Sequence, residues 1–271
     1  MLRSLYSGIS GMRGFQTKLD VIGNNIANVN TVGFKAGRVM FKDILSQTVA
    51  GVTAPNNGQG GINAKQIGLG SAIGAIDTLH TPGSAMTTNV VTDLRIDGDG
   101  FFAVSPDDTG TQTFLTRAGN FTVDANRELV TADGYRVLDT NGQPITLDPA
   151  VTAFSISQNG EIVAVNADGT STGTGVKIGV VKVENPAGLQ KIGNNMYSVT
   201  GNATSQAIQE LSANDPTAGT GAIISGQLEM SNVDLTAEFT EMIVAERGFQ
   251  ANSKIITASD EILQDIVNLK R

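Results

Sequence analysis

Apolar residues recur at steps of three and four from the start of the chain, at Leu2, Leu5, Ile9, Met12, Phe15, Leu19, Ile22, Ile26 and Val29. That spacing predicts an amphipathic helix with a coiled-coil-like stripe. Gly8, Gly11, Gly14 and Gly23 interrupt it, and each costs about 1 kcal/mol relative to alanine in a helix interior. Short isolated helices are marginal even with good residues, so this segment is expected to need a partner surface. A second stripe closes the sequence: Leu235, Phe239, Met242, Phe249, Ile256 and Leu263, joined by Ile262, Ile266 and Leu269. Asn232 or Asp234 can cap it, and Glu238 and Glu241 sit near the positive end of its dipole, with Lys270 and Arg271 at the other end.

Between the stripes the period changes to two. DLRIDG, FFAVS, NFTVD, ELVTADGYRVL, AFSISQNGEIVAV and VKIGVVKVEN read as short strands. Turn signals separate them: Asp99-Gly100, Ala118-Gly119-Asn120, Asp133-Gly134, Asn141-Gly142, Asn159-Gly160 and Asp168-Gly169. Residues 44–71, rich in glycine and asparagine and without period, are expected to be an extended connector arm. A polar stretch at about 200–221 should loop before the final helix. The expected fold is α+β, mainly β. Discontinuous N- and C-terminal long helices form a coiled-coil-like pair (1–43 with 230–271), and an antiparallel β-rich domain spans 72–229.

Composition narrows the function. Hydrophobic residues make up 40%, aromatics only 5%, and there are 32 glycines and no tryptophan. With no cysteine there is no disulfide framework, zinc-finger spacing or thiol nucleophile. The net charge of −8 argues against nucleic acid as a partner. The charge is uneven: residues 1–43 carry +4 and residues 230–271 carry −3. No stretch approaches the ~18–20 apolar residues of a membrane span, and no cleaved signal peptide is evident at the N-terminus.

Catalytic readings are weak. His80 is the single histidine. Asp97 and Asp99 faintly resemble the start of a calcium loop, but Asp108 stands where the loop needs glutamate. GLGSAIG lacks the dinucleotide-binding spacing, and the triplets at Asn120 and Asn202 are chance-level glycosylation patterns. No catalytic, cofactor or metal residue is expected. A secreted β-domain adhesin with a coiled-coil stalk is an alternative, disfavoured by the absence of tryptophan platforms.

LDVIGNNIANVNTVGFK (19–35) with FKD (41–43) resembles the N-terminal motif of bacterial flagellar rod and hook axial proteins. EMSNVDLTAEFTEMIVAERGFQANSKIITASDEIL (229–263) resembles their C-terminal motif. DGDGFFAV, TRAGNFTVDANRELVTADGYRVL and GLQKIGNNMYSVT resemble segments of the β domain in between. The resemblance implies a subunit that polymerises into a hollow helical tube with its helices inside. Its partners would be copies of itself, neighbouring rod, hook and junction proteins, and the flagellar type III export apparatus. Its place would be the flagellum, without direct membrane insertion. LDVIGNNIAN, with Gly23, resembles the hook version, while the chain length resembles the distal rod protein. The motif tips the expectation to a flexible hook transmitting torque, with a rigid distal rod as the alternative. The expected assembly residues are Leu5, Ile9, Met12, Leu19, Ile22, Asn24, Asn25, Ile26, Asn28 and Val29, the apolar ones facing Phe239, Met242, Phe249, Ile256 and Leu263 on the same or neighbouring subunits. Asn24, Asn25 and Asn28 are expected to set register across helix contacts, and Asn30, Thr31 and Gly33 to stop the helix.

Overall fold

The structure, a computed structural model, describes residues 2–55, 60–107, 112–149, 151–166, 170–204 and 208–269. It divides into two compact units. Unit 1 comprises Met1–Ala27, Gly37–Thr78 and Asp234–Arg271; unit 2 comprises Asn28–Ala36 and Leu79–Val233.

Unit 1 holds both long helices, α1 (Leu2–Ala27) and α2 (Leu235–Leu269). Asp234, not Asn232, caps α2: its Oδ1 accepts from the backbone N–H of Thr236 at 2.9 Å and of Ala237 at 3.4 Å. The helices run antiparallel, with Gly8 near Ile256, Phe15 near Gly248 and Lys18 paired with Glu241. Their contact is made by small residues. Gly8 and Gly11 are buried there, as are Ala245 and Ser259 of α2, while Gly14 is buried against the Phe41 ring. A Cβ on Gly11 would lie 3.0 Å from the Asn252 side chain, and one on Gly248 would lie 2.6 Å from the Phe15 ring. The glycines that weaken α1 as an isolated helix are thus where its neighbours approach most closely.

Four strands complete unit 1: β1 (Gly37–Asp43), β2 (Ser46–Ala50), β3 (Lys65–Gly68) and β4 (Ser71–Thr78). β1 pairs antiparallel with β4, from Gly37↔Thr78 to Asp43↔Ser71, with an irregularity between Met40 and Phe41. β2 pairs with β3, and the Ile44 N–H to Gly70 O and Leu69 N–H to Leu45 O bonds join the two ladders into one ribbon. This departs from the expected extended connector over 44–71. The ladder is backbone-made, and its side chains are exposed on both faces, so no alternation of period two marks it. The expected boundary at 72 accordingly falls one residue inside β4.

Among the described residues, the regular structure of unit 2 is β apart from one short 3₁₀ turn at Pro186–Gly188. Among the described residues, its main sheet runs in the order Gln190–Gly193, Met196–Ser198, Phe114–Thr116, Phe101–Ser105, Arg136–Val137, Leu129–Thr131, Phe121–Val123, with Val180–Val181 also pairing with Phe101–Ser105. A meander of Val151–Ile156, Glu161–Asn166 and Ser171–Lys177 adds a second sheet. Two more pairs, Leu94–Asp97 with Ala222–Ser225 and Ala85–Thr87 with Gln227–Glu229, bring the C-terminal end of the unit back to its start.

FFAVS is buried on both faces. Phe102 and Val104 join a core with Leu94, Phe121 and Ile178, while Phe101 and Ala103 pack with Leu115, Val181 and Tyr197. Gly134, Gly142 and Gly160 take positive φ at the expected turns, and Asp168-Gly169 lies outside the described residues. One hairpin and one long-range pair went unexpected: the hairpin 190–198, turned by Asn194 and Asn195 at φ 50° and 56°, and the 85–87/227–229 pairing.

Candidate functional site

The expected assembly residues divide by their burial within one subunit. Ile22 is buried, and Leu5, Met12, Leu19 and Ile26 are half-buried; so are Met242, Ile256 and Leu263 of α2. Ile9, Phe239 and Phe249 are exposed rather than turned into the helix pair. The reason is steric: the glycine face of α1 occupies the contact, which rotates Ile9 out. Helix α1 ends at Ala27, so Asn28 and Val29 fall outside it, in the turn that opens unit 2. There the Thr31 N–H bonds to Asn28 O at 3.2 Å and the Thr31 hydroxyl to Asn28 Oδ1 at 3.1 Å.

The asparagines are not equivalent. Asn24 is exposed, whereas Asn25 is 1% exposed. The Asn25 amide donates to Gly37 O and to Glu238 Oε1, both at 2.9 Å, and its Oδ1 accepts the Gly37 N–H at 2.9 Å. One side chain thus ties α1 to α2 and to the start of β1. Burial raises the Glu238 carboxyl pKa, and the Asn25 hydrogen bond opposes the shift.

Unit 1 leaves much apolar surface uncovered. Tyr6 (70% exposed), Phe239, Ile243, Val244, Ile262, Ile266, Val267 and Leu269 (86%) protrude from the helices; Ile44, Leu45, Val49, Val52 and Ile67 protrude from the ribbon. Single exposed apolar residues are ordinary, but a two-stranded ribbon apolar on its open faces is at best marginal in water. Such surfaces mark interaction sites.

Unit 2 contains a buried charge cluster that the sequence did not announce. Lys35 and Glu229 are each 1% exposed and Arg117 is 5% exposed. Lys35 Nζ donates to Glu229 Oε1 at 2.5 Å and to Thr81 O at 2.7 Å. Arg117 donates to Glu229 Oε2 at 3.2 Å and to Gly98 O at 2.7 Å, and its guanidinium lies 5.3 Å from the centre of the Phe101 ring. Glu229 Oε1 also accepts the Gly83 N–H, and Glu229 O accepts the Gly33 N–H at 2.8 Å. Beside it, Asn232 accepts from the Ala36 N–H and donates to Leu79 O. The cluster therefore pins together 33–36, 79–83 and 229–232, the segments by which the chain enters and leaves unit 2.

Burial pushes the Glu229 carboxyl up, but Arg117, Lys35 and the Lys35 hydrogen bond outweigh it and hold the pKa below its usual value. Burial lowers Lys35, against the pull of Glu229. His80 packs edge-on to Phe101 and Tyr197; burial, with Lys35, Arg117 and Lys191 nearby, lowers its pKa to about 4. Burial raises Tyr197 to about 12. These are interior packing groups rather than a reactive constellation. Among the described residues, no group of three or more His, Asp or Glu side chains is placed to hold a metal. Asp97 pairs with Arg95 at 3.4 Å, and Asp108 lies outside the described residues. Among the described residues, no helix is long and apolar enough to cross a membrane.

A β unit pinned by its own connecting segments, and a terminal helix pair rich in uncovered apolar side chains, are the features of a subunit that packs against other protein surfaces. Three family models match in chain order: "Flagella basal body rod protein" at residues 5–35, "Flagellar hook protein FlgE/F/G D1 domain" at 95–164 and "Flagellar basal body rod FlgEFG protein C-terminal" at 224–269. The flagellar basal-body rod protein FlgG of Bacillus subtilis is 58% identical over 272 residues, covering all of both chains. FlgG of Borreliella burgdorferi is 39% identical over 279 residues, and the hook protein FlgE of that organism is 29% identical over 449, each again covering both chains fully. The chain belongs to the flagellar hook and basal-body rod protein family and is an axial structural subunit of the flagellum.

The expectation of a hook is not favoured over a rod: full-length identity is higher to rod proteins than to this hook protein. The expectation leaned on Gly23. In the structure Gly23 is exposed, and a Cβ there would meet nothing within 4 Å, so glycine at this position answers no packing demand.

Proposed function

We propose that this chain is the distal-rod subunit of the flagellum, polymerising with copies of itself into a rigid tube that transmits torque from the motor. Its 58% identity to a rod protein over the whole of both chains supports rod over hook. The observation that carries polymerisation is the uncovered apolar surface of unit 1, on the helix pair and on the ribbon over 37–78. Burying such surface contributes about 25 cal/mol per Å², and a helix pair joined through glycines gains most when neighbours confine it. The ribbon, unsupported on its outer faces, would seat on adjacent subunits and stiffen the wall. Adjoining rod, hook and junction proteins would meet the same surfaces at the ends of the tube. Export through the flagellar type III apparatus suits a cysteine-free chain whose terminal helices gain their order on assembly.

Negative-stain microscopy of the purified protein at rising concentration tests this reading. Straight tubes of uniform width are expected. A monodisperse monomer at every concentration, with both helices fully protected from hydrogen exchange, would count against assembly-coupled ordering.

A further inference from the structure

Unit 1 carries a groove of about 450 Å³ between α1 and the β1–β4 ribbon, lined by Tyr6, Ile9, Arg13, Ile44, Leu69 and Ile73 among others. Its apolar walls are largely uncovered: Tyr6, Ile9 and Ile44 are all exposed. Arg13 is exposed at its edge and makes no ion pair among the described residues.

The same unit holds a segment shaped to fill such a groove. From Asp260 to Leu269 only Leu263 is even half-buried. Ile262, Ile266 and Leu269 stand at i, i+4 and i+7, the spacing by which an amphipathic helix presents one apolar row to a groove. Glu261 and Asp265, one residue before Ile262 and Ile266, flank that row and form no ion pair among the described residues. The acidic pair, rather than the charge of the whole helix end, is the matching feature, because Lys270 and Arg271 follow in the sequence.

We infer that the last turns of α2 from a second copy of this chain dock in the α1–ribbon groove, with Ile262, Ile266 and Leu269 against its apolar walls and Glu261 or Asp265 on Arg13. Donor and acceptor are different surfaces of one unit, so the contact is heterologous. A heterologous contact does not close a pair; repeated, it builds a ring or an open helix. The inference rests on the polymerising-rod reading and names one of its joints.

The absence of cysteine makes the test clean. Full-length Tyr6→Cys and Ile266→Cys variants, distinguished by a size tag, are mixed under mild oxidation. Their products are read on non-reducing gels, and the same samples are viewed by electron microscopy. The mixed disulfide dimer should exceed each homodimer at least ten-fold. It should fall to the homodimer level when the groove partner also carries Arg13→Glu, and return when the tail partner carries Glu261→Arg and Asp265→Arg. Tubes without the preferred mixed product overturn this joint and leave the rod reading standing. The mixed product without tubes supports the joint and counts against the rod reading. Neither tubes nor product overturns both; a mixed product indifferent to Arg13→Glu overturns the joint alone.

Discussion

Replacing Glu229 with glutamine should be far more damaging than replacing its lysine partner, Lys35. In the native cluster one carboxylate faces two cations, and Lys35, Arg117 and Glu229 are all buried. Glu229→Gln keeps the shape but leaves both cations without a counter-charge, and breaking a buried ion pair from one side costs about 3–5 kcal/mol. Lys35→Met leaves Arg117 and Glu229 as a neutral pair, while the Thr81 carbonyl keeps the Asn232 amide at 3.3 Å and Glu229 Oε1 keeps the Gly83 N–H at 3.0 Å. The loss is that of hydrogen bonds to a charged group, about 1.5–3 kcal/mol each, offset here by removing a desolvated ammonium close to Arg117. A net loss below about 2 kcal/mol is expected. For a unit of this size each kcal/mol moves the melting temperature by about 2–4 °C, so Glu229→Gln should lower it by about 6–20 °C.

Thermal and urea unfolding followed by circular dichroism in the β region reads both variants at neutral pH. The acid limb provides a second reading. The folded-state pKa of Glu229 is depressed, so its contribution is present above its ordinary value of 4.5 and is lost as pH falls through the folded value. The wild type should lose stability below that pH more steeply than Glu229→Gln. A loss under about 1 kcal/mol for Glu229→Gln, or an equal loss for Lys35→Met, would refute the charge accounting.

Three further perturbations follow from the same geometry. Asn25→Ala removes three hydrogen bonds and should cost about 1–3 kcal/mol and deprotect the end of α1 in hydrogen exchange, whereas Asn24→Ala should leave the monomer unchanged within about 0.5 kcal/mol; equal effects would contradict the assignment of Asn25 as the tie. Gly33 sits at φ +69° with its would-be Cβ 2.6 Å from the Ala118 nitrogen, so Gly33→Ala should destabilise unit 2 by more than about 2 kcal/mol in urea unfolding. Gly23→Ala, in open space on a helix, should instead stabilise by about 0.5–1 kcal/mol. The single His80 should titrate in NMR with a midpoint of about 4; its neutral form contributes stability that is full above 6.5 and lost as pH falls through about 4, and a midpoint near 6.5 would show that the ring is not held in the interior.

The terminal helices were legible because their apolar steps of three and four are long and regular, and the strands of unit 2 because DG and NG turns divide alternating runs. The facing surfaces of the helices were not legible. A stripe counted in large apolar residues points to Ile9, Phe239 and Phe249, while the actual contact uses Gly8, Gly11, Ala245 and Gly248, which carry little or no hydrophobic signal. The 46–68 part of the ribbon escaped notice for the complementary reason: β2 and β3 are exposed on both faces, so pairing imposes no pattern on their side chains. Lys35, Arg117 and Glu229 each stand inside or beside a motif already singled out, in GFK, TRAG and QLEM, but an isolated charge reads as surface until the fold brings opposite charges together. A charged residue inside a run of small and apolar ones was the signal available. Asn25 was singled out as an assembly contact, whereas within the subunit it is a tie between α1, α2 and β1.

The most direct measurement of the central claim is the structure at which flagellar assembly stops when the gene for this chain is deleted. Basal bodies isolated from the deletion strain should carry a shortened rod with neither its distal segment nor a hook, and should regain both when the gene is restored. Basal bodies with a complete rod that lack only the hook would contradict the assignment of this chain to the rod.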